Sequence, residues 1–544
     1  MPTITINKKD LLKLLGRKID EKRLLDRITM LGLSIEDIQG EELIIEVFPN
    51  RADLLSVEGI ARALSSFLGV KKGLRKFKVY NSNYLAKIDK KVKKVRPYAV
   101  AAVVKGIKLN DYIIQSIMQL QEKLHETYGR KRRKASIGIY DLDTIKFPLI
   151  YTTKPKNFKF VPLDMEKELT LSEILEVHPK GIEYKHLLEN FKEFPIWIDS
   201  NGQVLSMPPV INSNETRVKE TTKNLFIDVT GLDKKTVEDT LNIVVTSLAE
   251  RGGKVYRVKI ENKNYPNLEP KTIKVDIGYC NKVLGLKLDT KKFALLAKKM
   301  GFDFLKNKIY YPCYRTDIMH QIDIVEDIAI AYGYENIKES IPKIATIGKE
   351  DKLEIIKRKI AEALIGLGFI ETFTYHLTSK ENQCSKTCVE IPLVEIENPQ
   401  SEEYSVLRSW LIPILLDVLS KNKHNEYPQK IFESGTIFKL KNGQVEENIR
   451  LAVAICDTKA DFTDIKQIFE YLIRLLGLNY EIVEEKDHPS FIPGRVIRIA
   501  INGKKVAWLG EIHPKVLENF EIEMPVAAFE LNLSELFGKE KNKY

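Results

Sequence analysis

Apolar and polar residues alternate through Thr3, Ile4, Thr5 and Ile6, the period of a half-buried strand. They then recur at helical spacing from Lys8 to Leu15 and from Glu21 to Leu31, where Gly32 closes the second run. Leu43 to Phe48 reads as a strand broken by Pro49 and Asn50, and Asp53 or Ser56 can cap a helix through Ile60, Ala61 and Leu64 to Leu68 that Gly69 stops. This predicts a compact α+β module. Basic residues dominate from Lys71 to Arg96, and a domain boundary falls there. Beyond it, short β-type runs at Tyr98 to Val104, Ile196 to Ile198, Leu225 to Val229 and Lys254 to Ile260 alternate with helices such as Tyr112 to Tyr128, as in a second α+β domain with a mixed sheet.

Residues 262–272 are polar and contain Pro266 and Pro270, a linker by composition. A small unit follows: a helix capped by Asp289 or Thr290 and ended by Gly301, a strand over Lys308 to Tyr311, and a helix from Asp317 to about Tyr332. After Pro342 helices at Leu353 to Leu367 and Ser405 to Leu419 mix with strands at Lys430 to Leu440, Arg450 to Ile455 and Val496 to Ile501. The fold class expected is therefore α+β and multidomain.

At 544 residues the chain exceeds what one core supports. Its 44% hydrophobic and 30% charged residues fit folded, well-solvated domains, and a net charge of +11 permits a polyanionic partner without requiring one. No window approaches 18 uninterrupted apolar residues, and Lys8, Lys9 and Asp10 stand where a signal peptide needs an apolar core. Five scattered cysteines fit reduced thiols, so the compartment expected is the cytoplasm.

Three constellations carry chemistry. On a helix Asp323, Glu326 and Asp327 share one face, with Asp317 at its N-terminal end. Carboxylates so crowded suit either a solvated acidic face or a hard cation such as Mg²⁺. Between Gly202 and Gly231, Pro208 and Pro209 stiffen the chain ahead of Asn212 and Ser213, and a buried-looking strand ends in Asp228 and Thr230. These polar groups either line a small pocket or satisfy turns and strand ends. Arg130, Lys131, Arg132, Arg133 and Lys134 follow a helix and form either a solvated loop or a contact for RNA phosphates. No GxSxG, HExxH or Walker loop is present.

Several segments, in order, resemble the beta subunits of archaeal and eukaryotic cytosolic phenylalanyl-tRNA synthetase. They are Phe48-Pro49-Asn50-Arg51-Ala52-Asp53 with Gly59-Ile60-Ala61-Arg62, Ala135-Ser136-Ile137-Gly138, Pro208-Pro209 through Asp228-Val229-Thr230-Gly231, and Tyr314-Arg315-Thr316-Asp317 with its acidic helix. Glu397-Asn398-Pro399 with Leu407-Arg408, Phe432-Glu433-Ser434-Gly435, and His488-Pro489-Ser490-Phe491-Ile492-Pro493-Gly494-Arg495 continue the match. The resemblance implies an N-terminal domain over 1–84, an editing domain over 85–270, a small helix-rich domain over 271–345, and over 346–544 an antiparallel-sheet domain similar to a class II synthetase fold without its active site.

It further implies that phenylalanine is activated with ATP in a separate alpha subunit, that the complex is an alpha2beta2 heterotetramer binding tRNA(Phe), and that Mg²⁺ shared with the alpha subunit maps onto Asp317, Asp323, Glu326 and Asp327. Mischarged Tyr-tRNA(Phe) would be hydrolysed in a pocket bearing Leu205, Pro208, Pro209, Asn212, Ser213, Asp228 and Thr230. The motive is physical: an apolar pocket rejects one added hydroxyl only by on the order of 10²-fold, so a second site must clear the error. Where the family often has Ile-Gly-x-His-Asp, this chain has Ile137-Gly138-Ile139-Tyr140-Asp141. With about 30 residues following Pro514, the bacterial type's extra anticodon-binding domain is expected to be absent and anticodon reading to lie elsewhere. Two competing readings are a free-standing tRNA-binding or deacylating protein, against which the apolar helix expected at Ser405 to Leu419 argues, and a scaffold whose editing pocket is dead, which Tyr140 favours.

Overall fold

A computed structural model describes residues 2–483 and 487–538. The chain divides into two compact units, Met1–Ile341 and Pro342–Tyr544, and the α+β multidomain character expected from the sequence is what both display.

In the first unit the strands Thr3–Asn7, Ser34–Gln39 and Glu42–Glu46 form a small antiparallel sheet. The helix Val57–Phe67 packs beside it, opened by Ser56, whose hydroxyl accepts from the Gly59 amide. The centre is a mixed ten-stranded sheet in which Asn224–Gly231 lies between Tyr98–Lys105 and Ala135–Asp141, antiparallel to both. Both faces of this sheet are covered. Along Asn224–Gly231 the buried Leu225, Ile227 and Val229 enter the core shared with the helix Lys234–Glu250, whereas Phe226 enters a second, aromatic core with Tyr140, Tyr151 and Trp197. Period-two alternation thus sends Asp228 and Thr230 to the face opposite the helix. The small module that follows has three short strands and the helix Gln321–Tyr332. That helix begins four residues later than the sequence predicts, because His320 caps it and Asp317 is drawn to Arg315 instead.

The second unit carries a seven-stranded sheet, antiparallel but for the pairing of Ile370–Glu371 with Gln429–Lys441. Leu451, Val453 and Ile455 face the helices Lys352–Gly366 and Phe462–Leu475, while Ala452, Ala454 and Cys456 face the helices Ile412–Lys421 and Pro514–Asn519. The helix expected from Ser405 to Leu419 is shorter: Val406–Leu407 pairs as a strand and the helix runs from Ile412 to Lys421. Glu530 sets that start by accepting the Leu411 and Ile412 amides at 2.7 and 3.0 Å, and Pro413 fits the first turn, where no amide is needed. The buried Arg408 donates to Glu433 at 2.6 Å, which joins two of the recognised segments. All five cysteines are free thiols, and among the described residues no helix is long and apolar enough to cross a membrane.

Candidate active site

The ten-stranded sheet, the helix Asp111–Glu126 and the chain around Pro208 enclose a cavity of about 310 Å³. Helical spacing puts Ile114, Ile117, Met118 and Gln121 on one wall. Pro208, Pro209, Val210 and Asn212 form another, and Gly138, Tyr140, Ser206 and Asp228 line it from the sheet. Four of the seven pocket residues expected from sequence therefore line it: Pro208, Pro209, Asn212 and Asp228.

The other three stand just outside. Leu205 is fully buried in the aromatic core, and by strand alternation its neighbour Ser206 meets the cavity in its place. Ser213 is buried and caps the turn Asn214–Thr216. Thr230 accepts from Arg96 Nε at 2.8 Å, and the same guanidinium donates to the Thr230 carbonyl and to Ser136.

Asp228, 1% exposed, is the most perturbed acid of the wall. Burial pushes its carboxyl up to about 7, against the opposing effects of hydrogen bonds from Tyr140 and Trp197 and of the nearby Arg96 charge. Tyr140 Oη lies 2.5 Å from Asp228 Oδ1 and 2.7 Å from Ser206 Oγ, and Trp197 Nε1 donates to Asp228 Oδ2 at 3.1 Å. Gly138 makes room for this group, since a Cβ there would lie 2.0 Å from Tyr140 Oη and 2.4 Å from Asp228 Oδ1. From the sequence Tyr140 stands out only as a departure, and neither Ser206 nor Gly138, though Gly138 lies in a recognised segment, is expected in the pocket. Alternation holds the signal, because 136, 138 and 140 share one strand face.

Arg132 overturns its expected role. It is 6% exposed and cannot meet RNA phosphates: its guanidinium donates to the carbonyls of Pro209 and Val210 at 3.1 and 2.9 Å and to Glu122 at 2.7 Å, and stacks on the Tyr184 ring. Arg130, Lys131 and Arg132 all have positive φ, a left-handed turn that points Arg132 inward while Arg130, Lys131 and Arg133 stay exposed and Lys134 half-buried.

The acidic set is also rearranged. Arg315 Nη2 lies 2.7 Å from both Asp317 and Asp327. Burial works against both carboxylates; the Arg315 charge and hydrogen bonds, with Arg51, leave Asp317 below the usual range, whereas Asp327 stays above it. Asp323 accepts the Met319 and His320 amides at 2.8 and 2.7 Å, and Glu326 is exposed on the helix. Asp317, Asp323, Glu326 and Asp327 therefore do not form one ligand set. Among the described residues no group of three or more His, Cys, Asp or Glu is arranged to hold a metal ion. The cation between Asp317 and Asp327 is a guanidinium.

Four family models match in chain order: the Phe-tRNA synthetase beta subunit B1 domain over 1–70, the B3/4 domain over 81–252, the tRNA synthetase B5 domain over 273–334, and the phenylalanyl-tRNA synthetase beta chain CLM domain over 337–533. The phenylalanine–tRNA ligase beta subunit of Pyrococcus abyssi is 43% identical over 99% of this chain and all of its own length. The chain belongs to the phenylalanine–tRNA ligase beta-subunit family. It is thereby a component of an aminoacyl-tRNA synthetase. The beta subunit of Archaeoglobus fulgidus is 42% identical over 99% of both chains. The crystal structure of an N-terminal fragment of the Pyrococcus horikoshii phenylalanyl-tRNA synthetase beta subunit superposes with a TM-score of 0.59 at 42% identity, covering 61% of this chain and the whole of that one. The cavity lies within the residues matched by the B3/4 domain.

Proposed function

We propose that the cavity hydrolyses mischarged Tyr-tRNA(Phe), and that the chain works as the beta half of a cytoplasmic alpha2beta2 ligase that attaches phenylalanine to tRNA(Phe). In this reading phenylalanyl adenylate forms from ATP in the alpha subunit, and residues 85–270 act as the editing module between the N-terminal domain over 1–84 and the small domain over 271–345. The observation that carries it is the cavity's sheet wall, where a buried carboxyl, two hydroxyls and a glycine meet in a space of amino-acid size. That chemistry suits an ester and water better than an adenylate, which needs a phosphate cradle.

A partner chain is supported by the second unit, where Phe373 and Tyr375 are 86% and 79% exposed. Arg130, Lys131, Arg133 and Lys134 remain available to RNA phosphates. Mg²⁺ belongs with ATP in the alpha subunit; of the four carboxylates expected to share it, Asp323 and Glu326 are the two that Arg315 does not hold. The test is to purify the chain alone and with its alpha subunit, then assay ATP-dependent phenylalanylation and hydrolysis of preformed Tyr-tRNA(Phe). Charging only with both chains, together with clearance that Asp228→Ala abolishes, supports the reading. Charging indifferent to this chain overturns it, and charging without clearance leaves a scaffold.

A further inference from the structure

Tyr140 is the hydrogen-bond partner of the Ser206 hydroxyl among the described residues, and it is 1% exposed with its ring stacked on Phe226 at 5.7 Å. Its phenol therefore has no room to swing away from Asp228. A phenol has one proton to donate and can accept a second. The Tyr140 phenol stands as donor to both Ser206 Oγ and Asp228 Oδ1, and its single proton serves one of them at a time. When it lies on Asp228 Oδ1, the Ser206 hydroxyl is free to turn its own proton onto the phenol oxygen and leave its lone pairs to the cavity. Three oxygens in series, 2.7 and 2.5 Å apart, thus lead from the cavity wall to a buried carboxyl.

We infer that Ser206, Tyr140 and Asp228 form a proton relay that activates the water attacking the aminoacyl ester. This rests on the editing reading above. As the water oxygen bonds to the ester carbonyl carbon, Ser206 Oγ takes a proton from that water and yields its own to Tyr140 Oη, which yields its own to Asp228 Oδ1. When the tetrahedral centre collapses, the bond from the carbonyl carbon to the ribose oxygen breaks. The proton held on Asp228 returns along the same path to that oxygen, so the water ends divided between acid and alcohol. Ser206 is the catalytic residue because it meets the water; Tyr140 and Asp228 are positioning residues that act through it. A general base held at the wrong protonation state at neutral pH would be useless, and burial gives Asp228 a carboxyl that loses its proton near pH 7.

The groups facing Asp228 leave it alone in that pH range. Tyr140 and Tyr151 are pushed up by burial, and Arg96 is lowered only to about 10. Trp197 does not titrate.

The experiment follows hydrolysis of preformed Tyr-tRNA(Phe) by the full complex from pH 5.5 to 8.5, for the wild type, Tyr140→Phe, Ser206→Ala and Asp228→Asn, with a proton inventory in mixed light and heavy water. A His178→Asn control removes the imidazole on the cavity wall, and the pH limb is expected to persist in it. The wild type is expected to show kcat rising to a plateau with an apparent pKa near 7 and a curved proton inventory. Tyr140→Phe, which keeps the ring and its stacking, is expected to lower kcat by about 100-fold with KM little changed, to flatten the limb, and to straighten the inventory. A Tyr140→Phe enzyme with the wild-type rate and limb overturns the relay while leaving the editing reading intact. A wild-type complex that charges tRNA but clears no Tyr-tRNA(Phe) overturns both.

Discussion

The guanidinium of Arg315 is the cation that Asp327 faces, at 2.7 Å and with both side chains 5% exposed or less. The same group binds Asp317, and the Arg51–Asp53 pair lies near enough for its charges to act on Arg315. Two Arg-x-Asp motifs more than 250 positions apart in the chain are thereby one buried charge network. Replacing Arg315 with Met leaves two buried carboxylates without their partner, which costs about 3–5 kcal/mol. The expected outcome is a clear fall in the thermal midpoint of the complex, seen by calorimetry, that Arg315→Lys only partly restores because an ammonium lacks the planar fork.

That network shows where sequence reading reaches and where it stops. The carboxylates at 317, 323, 326 and 327 are legible as a cluster, and helical spacing puts 323, 326 and 327 on one helix, but it does not reveal that Asp327 turns inward to Arg315 while Glu326 faces solvent. What is not legible is that Arg315, two residues from Asp317, folds back between its neighbours, since a cation occupying the cluster looks the same in one dimension as a cation beside it. The pocket divides in the same way. Asp228, Pro208, Pro209 and Asn212 are readable from a stiff turn and a strand end. Leu205 enters the expected pocket only through the family resemblance, and strand alternation sends it into the core and its neighbour Ser206 to the cavity, since a one-residue change of phase exchanges the two faces. The basic run at 130–134 misleads because charge gives no hint of the left-handed turn that buries Arg132.

Gly138 tests whether the Tyr140–Asp228 contact shapes the cavity. A methyl group there collides with both partners, and neither can retreat, because Tyr140 is stacked on Phe226 and Asp228 is held by Trp197. Gly138→Ala is expected to destabilise the chain by roughly 1–3 kcal/mol and to remove Tyr-tRNA(Phe) hydrolysis while phenylalanylation by the complex continues. Parallel assays of the two activities on one preparation make the comparison.

Arg132 and its exposed neighbours are expected to separate cleanly. Arg132→Ala frees the Pro209 and Val210 carbonyls from the clamp to Glu122, so the cavity wall loosens and KM for the mischarged ester rises. Arg130→Ala with Arg133→Ala leaves the cavity alone. If those side chains touch the RNA backbone, the slope of log affinity against log salt falls by roughly 0.7–0.9 per contact removed. Filter binding of tRNA across a salt series, beside the hydrolysis assay, distinguishes the two effects.

The buried carboxyl of Asp228 makes stability depend on pH in an unusual direction. Its folded pKa of about 7 lies above the unfolded value near 3.8, so the folded state binds more protons between those limits. The contribution is fully present below about pH 4 and is lost as pH rises through 7. Each tenfold difference in proton affinity between the folded and unfolded chain is worth about 1.4 kcal/mol, so the full effect is on the order of 4 kcal/mol. An amide at this position carries no charge to bury, so Asp228→Asn removes the dependence. It also adds a fixed cost at every pH: with the amide oxygen toward Tyr140, its nitrogen faces the Trp197 donor. The thermal midpoint of the variant relative to the wild type is therefore expected to climb between pH 5 and pH 8, whatever its starting offset. A difference that stays level across that range would mean that Asp228 is already ionised in the folded chain at pH 5, and the carboxyl would then carry a charge that Arg96 and its two hydrogen-bond donors stabilise.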